Sequence, residues 1–235
     1  MKAELLSLTE IISKFPPDPV VSLSGAGGKT TLVFRIAREI KGTVIVTTTT
    51  KVGFEQILSA DRQILPDAIS TLSTEKVIWT SPSLIPQNGK IIGFTLQEFG
   101  MLAAECREKH FSLISEADGA ACRHIKAPAA YEPVIPADTN VCFYLAGLDV
   151  TGKPVSKEYV HRPEIFSKLT GARLNEAVTP DHFVRLFDHP EGGLRNMPPS
   201  ALRVAYLTHA DTEERISAGK YIAENLKYYH YICLS

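Results

Sequence analysis

The chain has 235 residues, with 25 lysines and arginines against 26 aspartates and glutamates and a formal net charge of -1. That balance excludes a protein that holds nucleic acid by bulk positive charge. Apolar residues at 44% and charged residues at 22% exclude a disordered or fibrous chain and leave enough apolar material for a packed core. At this length one α/β domain spanning 1–235 is expected, with loop insertions around 80–94, 119–136 and 180–199. Cys106, Cys122, Cys142 and Cys233 lie far apart without a Cys-x-x-Cys pair, and the histidines are not clustered in sequence, so neither a disulfide framework nor a zinc site is indicated. Glu4 and Glu10 interrupt the N-terminal apolar stretch, unlike a signal peptide, and no run reaches the roughly 18 apolar residues of a membrane span. A cytoplasmic protein with no membrane or nucleic-acid partner is expected.

Taken in chain order, Leu5, Leu8, Ile11, Ile12 and Phe15 recur at helical spacing until Pro16 and Pro17 stop them. Val20 to Leu23 is a short apolar run, Gly25 to Gly28 is glycine-rich, and Leu32, Val33, Ile36, Ala37 and Ile40 return to helical spacing. Gly42 and the β-branched Thr43 to Thr48 then complete a strand, glycine loop, helix, strand unit. Further strands are expected at Val77–Thr80, Phe111–Ser115, Val141–Leu145, Val204–Leu207 and Tyr229–Leu234, and helices at Thr95–His110, Ser156–Leu169 and Thr212–Lys227. Alternation of this kind predicts a three-layer α/β fold with a mostly parallel central sheet. Ile91 to Phe94, after Asn88-Gly89, fits a small hairpin arm. Gly119 to Pro136 and Pro180 to Pro199 read as long loops.

The strongest chemical signal is Ser24-Gly25-Ala26-Gly27-Gly28-Lys29-Thr30-Thr31 between a predicted strand and a predicted helix. Glycines let backbone N–H groups turn onto a phosphate chain, and the helix start adds unpaired donors. In that pattern Lys29 reaches the β- and γ-phosphates, the Thr30 hydroxyl ligates magnesium, and Thr31 is placed for the inner phosphate. Leu23 stands where the full P-loop pattern has its first glycine. The competing dinucleotide pattern has Thr30 in place of its third glycine and lacks an acidic residue after Thr47 to Thr50, so a nucleoside triphosphate, ATP or GTP, is preferred over NAD.

A P-loop also needs an acidic strand end for the metal. Ser112-Leu113-Ile114-Ser115-Glu116-Ala117-Asp118-Gly119 supplies one, with Asp118 the first choice for the metal shell and Glu116 for orienting water, or else an acidic turn with no such role. Gly119 after Asp118 also fits a loop that orders on a γ-phosphate. Thr49, Thr50 and Lys51, ending the second strand, either face the γ-phosphate or a second substrate or are there because threonine favours strands. Thr208-His209-Ala210-Asp211 partly matches a guanine-reading [NT]-K-x-D motif, with His209 in place of lysine. Alternatively, Asp211 is a helix N-cap with Glu214 completing a capping box. Arg123, Lys126, His161 and Arg162 are cations that either serve a transferring phosphoryl or anionic second substrate or are simply solvated.

The ordered series Gly25 to Thr31, the threonine run Thr47 to Thr50 with Lys51, Glu116 to Ala120, Lys126-Ala127-Pro128, Glu132 to Pro136, Gly147-Leu148-Asp149 and His161 to Glu164 resembles the selenium-dependent hydroxylase accessory protein (YqeC-like) family. The resemblance implies a small P-loop protein associated with selenium-dependent molybdenum hydroxylases or their cofactor-insertion machinery. The residues themselves point to magnesium-dependent binding of ATP or GTP with hydrolysis, with Lys29, Glu116 and Asp118 as the catalytic set. A small-molecule kinase using the same loop and a nucleotide-sensing adaptor with negligible turnover are the alternatives.

Overall fold

A computed structural model describes residues 3–72 and 76–235. The chain opens with β1 (Glu4–Leu5) and α1 (Leu8–Ile12), a helix shorter than the apolar spacing suggests because Ser7 and Glu10 close a capping box at its start. The expected βαβ unit follows as β2 (Val20–Gly25), α2 (Lys29–Glu39) and β3 (Val44–Thr48). Next come β4 (Lys51–Gly53), the single turn α3 (Phe54–Ile57), β5 (Arg62–Ile64), β6 (Val77–Thr80) and β7 (Lys90–Ile92). The middle of the chain forms α4 (Leu96–Glu108), β8 (Ser112–Glu116), β9 (Ile125–Lys126), β10 (Val141–Gly147) and β11 (Val160–His161). It ends with α5 (Pro163–Thr170), α6 (Pro180–Asp188), β12 (Leu202–Thr208), α7 (Glu213–Asn225) and β13 (Tyr231–Leu234).

Nine strands form one sheet in the order β1-β13-β12-β10-β2-β8-β3-β6-β5, and every pairing in it is parallel. Side chains of β10 alternate between its faces, as strand geometry requires. Val141, Phe143 and Leu145 meet the apolar faces of α1 and α2, while Cys142, Tyr144 and Ala146 meet α5, α6 and α7. Farther along that second face, Ile45, Ile78 and Leu113 are covered by α4. The result is the three-layer architecture the alternation predicts. Among the described residues no helix is long and apolar enough to cross a membrane.

Strand order also places the site. From β2 the chain crosses by α2 to β3, two positions away. It later fills the gap with β8, then moves to the other side of β2 with β10. Neighbouring connections thus leave β2 in opposite directions, which opens a crevice beyond its carboxyl end. Beside that crevice β4 and β7 form a separate antiparallel pair. A two-residue turn, in which Asn88 (φ 50) and Gly89 (φ 73) both adopt positive φ, leads into β7 and is closed by reciprocal hydrogen bonds between Gln87 and Lys90.

Two expectations need correction. The stretch from Pro180 contains α6, because Pro180 occupies the first helical turn, where its missing N–H is not needed, and Phe183, Leu186 and Phe187 share one buried face. The helix expected from Ser156 begins only at Pro163. Val160–His161 pairs in parallel with Ile125–Lys126 as a strand, and Arg162 is left-handed (φ 63), so helical geometry cannot start earlier. Because Phe183 is fully buried against α5 and α7, Phe183→Ala is expected to destabilise the protein by about 3–5 kcal/mol in urea titration, as a core helix requires and a surface loop does not.

Candidate functional site

The glycine loop takes its shape from close backbone contacts. Gly25 ends β2 at φ 92, and a Cβ there would lie 2.3 Å from the Leu145 carbonyl oxygen, so only glycine fits. Ala26 N–H donates to that same oxygen at 2.9 Å. Gly27 (φ 88) lies against Gly147 of β10, with 2.9 Å from its would-be Cβ to the Gly147 nitrogen. Gly28 (φ 103) is the N-cap of α2 and faces open space. The first amides of a helix have no intrahelical partner, so this turn presents donors to the crevice.

Charged groups are built under the loop. Lys29, at the first position of α2, folds back so that Nζ donates to Gly25 O at 2.7 Å and lies 3.1 Å from Asp118 Oδ1. Oδ1 has no aligned hydrogen bond, so the contact is an ion pair without hydrogen-bond geometry. The other oxygen, Oδ2, accepts from Gly25 N–H at 3.0 Å and from Lys126 Nζ at 2.8 Å. Lys126 also donates to Gly119 O at 2.6 Å and pairs with Glu132 Oε2 at 2.8 Å. Arg162 donates to the same Glu132 oxygen at 2.7 Å. Lys29, Asp118, Lys126, Glu132 and Arg162 therefore form one continuous chain of alternating charge, and Lys126 is 0% exposed. Buried charges are retained only when paired and hydrogen-bonded, which this arrangement achieves. Tyr144 hydroxyl adds a 2.7 Å hydrogen bond to the Lys126 carbonyl.

Glu116 stands apart from that chain. Its Oε1 accepts from the Thr30 hydroxyl at 2.6 Å. Burial pushes its carboxyl above the ordinary glutamate range, and the nearby Lys29 charge and Thr30 hydrogen bond only partly oppose this. At Glu132 burial also favours the neutral acid, but hydrogen bonds from Arg162 and Lys126 win and hold the carboxyl below its usual value.

The cleft above these groups has a volume of about 530 Å³ and is lined by Gly27 to Thr31, Glu116, Asp118, residues 119–124 and, from the β4–β7 side, Lys51, Gly53, Gln56 and Lys90. The structure thus brings Gly25, Ala26, Gly27, Gly28, Lys29, Thr30, Thr31, Glu116, Asp118, Lys51 and Arg123 to one place. Thr49 and Thr50 lie at its edge: Thr49 donates to Val134 O at 2.7 Å, and Thr50 N–H donates to Thr48 Oγ1 at 3.1 Å. Lys126 and Arg162 are committed to Glu132 below the surface. His161 lies in β11 beside them, its pKa lowered by burial and by the Arg162 and Lys126 charges. Asp211 is not the helix cap: Thr212 caps α7 and accepts from Arg215 N–H, while Asp211 pairs with Arg215 at 2.5 Å. The first residue of that motif is tied to the loop, since Thr208 Oγ1 donates to Gly27 O at 3.0 Å. Glu132 was not singled out from sequence as a site residue, because a glutamate among prolines reads as a solvated loop charge.

A family model described as YqeC protein matches residues 21–164, a span that contains the glycine loop and every member of the charge chain. The chain belongs to the YqeC family. A curated relative, the uncharacterized protein YqeC of Escherichia coli (strain K12), is 29% identical over 216 residues, covering 88% of this chain and 82% of the relative. No solved structure matches the chain.

Because Glu132 is a stronger acid in the folded protein than in the unfolded chain, its stabilisation is full above the ordinary glutamate range and is lost as pH falls through the lowered native value. Glu132→Gln is expected to destabilise by about 3 kcal/mol at neutral pH, since it leaves buried cations short of a partner. The gap between variant and wild type should close as urea titrations are repeated at falling pH. A gap that stays constant down to strong acid would show that the charge pairing contributes nothing.

Proposed function

We propose that this protein binds a magnesium nucleoside triphosphate in the cleft and hydrolyses it. The observation that carries the reading is the 2.6 Å contact between Thr30 and Glu116 at the mouth of a glycine loop that holds Lys29 at its centre. A hydroxyl and a carboxylate are hard oxygen donors that suit magnesium, and a dication beside Glu116 would relieve the burial that keeps its carboxyl high. When bound, magnesium neutralises charge developing on the β- and γ-phosphates. Loop amides from Gly27 to Thr31 cradle the phosphates, and Lys29 exchanges Gly25 O and Asp118 for phosphate oxygens. This gives Glu116 the place at the metal and gives Asp118 the task of anchoring the loop.

Guanine is the favoured base. The Thr208 hydrogen bond to Gly27 fixes the Thr208-His209-Ala210-Asp211 segment beside the phosphate loop, and with α7 capped by Thr212, Asp211 would exchange only its exposed ion pair with Arg215 for the base edge. Hydrolysis is favoured over transfer to a small molecule because two of the cations that could have served an anionic second substrate are used internally: Lys126 on Asp118 and Glu132, Arg162 on Glu132. From the family resemblance we further propose that turnover serves an accessory role in maturing a selenium-dependent molybdenum hydroxylase.

Calorimetric titration with magnesium GTP and magnesium ATP tests the reading. Lys29→Ala should weaken both by about ten- to a hundredfold, the equivalent of about 1.5–3 kcal/mol of charge-assisted hydrogen bonding. Glu116→Gln should weaken binding only when magnesium is present, and Asp211→Ala should weaken GTP selectively. No saturable binding of either nucleotide would overturn the proposal, and equal loss of both in Asp211→Ala would overturn guanine recognition.

A further inference from the structure

On the far side of Gly147 from β10, three side chains that are distant in sequence converge. His124 comes from the loop after β8, Asp149 from the turn after β10, and His209 from the end of β12. Their nearest ligand atoms all lie within 4.8 Å of one another, and all three residues are half-buried, so the group is open on one side. His124 Nδ1 bonds Asp149 Oδ2 at 2.7 Å, and the two imidazoles are stacked nearly parallel with centroids 4.7 Å apart, so one ring has to turn about its side-chain bonds before both can direct a nitrogen at a single ion.

Three independent features show that this convergence is built. Asp149 Oδ1 is buried without a hydrogen-bond partner, an arrangement that costs free energy unless something else takes the lone pair. Gly147 has no side chain where one would fill the cluster: a Cβ would lie 2.5 Å from Asp149 Oδ1, 2.9 Å from His124 Cβ and 3.2 Å from His209 Cδ2. His209 holds a left-handed backbone (φ 61), an uncommon conformation for a side-chain-bearing residue, next to the tied Thr208.

We propose that His124, Asp149 and His209 bind a first-row transition dication such as Zn²⁺, Fe²⁺ or Co²⁺. Two imidazole nitrogens and one carboxylate oxygen form a borderline-soft set that favours such ions over magnesium. Three protein ligands leave open positions on the exposed side for water or an incoming group. The ion would lie next to the glycine loop, because His124 O accepts from Gly147 N–H at 2.6 Å and lies 3.1 Å from where a Gly27 Cβ would stand. The proposal does not depend on nucleotide binding.

The test uses the full chain, stripped with chelator and free of nucleotide. Co²⁺ is titrated in while its visible ligand-field absorption is followed, and Zn²⁺ is then used to displace it. Cys122, an exposed thiol two residues from His124, is replaced by serine in every sample so that it cannot supply the site. The background protein is expected to bind one Co²⁺ with a ligand-field band, and Zn²⁺ is expected to raise its melting temperature. His209→Ala and Asp149→Asn should each weaken binding by at least about tenfold. Asp149→Asn keeps the shape of the side chain, and far-ultraviolet circular dichroism checks that both variants fold. Absence of saturable Co²⁺ binding by the folded background protein, or affinity unchanged in both folded variants, would overturn the proposal.

Discussion

Everything at the site depends on one buried carboxylate. Asp118 holds the Gly25 amide, Lys126 and Lys29 at once, so the end of β2, the exit from β8 and the start of α2 meet at a single residue. A carboxylate removed from water is stable only if cations and donors replace the water, and here two lysines and a backbone amide do so. The requirement then propagates outward. Lys126, fully buried, needs Glu132, and Glu132 is shared with Arg162 at the start of α5. In this way a constraint at the glycine loop fixes the course of a long, proline-containing segment that has little regular structure of its own.

The same constraint would keep the loop anchored if Lys29 changed partners, as the proposed function requires. Lys29 is held by Gly25 O and Asp118, partners that phosphate oxygens would replace under the proposed function. If Lys29 leaves, Asp118 keeps Lys126 and the Gly25 amide, so the loop retains its anchor while one cation becomes available. Thr30 and Glu116 satisfy each other in the same way, and under the proposed function both oxygens would turn to magnesium. Polar groups that are paired internally and can exchange partners without being left bare are suited to a site that fills and empties.

The sequence made the sheet legible because buried parallel strands are continuous apolar runs, and Val20–Leu23, Val77–Thr80 and Val141–Leu145 all carried that mark. Gly25, Gly27 and Gly28 were legible because positive φ and close backbone approach leave a residue no alternative to glycine. What was not legible rests on pairings between distant positions. Lys126 and Glu132 look like solvated loop charges until the fold closes around them, and His124 and Asp149 are 25 residues apart. Helix α6 is hard to see in a stretch bounded by prolines, because Pro180 opens the helix from its first turn. Asp211 resembled a cap, but Thr212 beside it offers the same chemistry and took the position.

The charges around the cleft fall into two sets with different physical reach. Below the surface, Lys29, Lys126 and Arg162 alternate with Asp118 and Glu132 and are largely neutralised by them. Lys51, Lys90 and Arg123 at the lining have no such neutralising set among the groups that form the cleft. An approaching anion therefore senses the rim long before the floor. For the anion of the proposed function, ionic strength would act on the rim charges, which would govern how fast it arrives, while the paired interior, shielded from salt, would govern how long it stays.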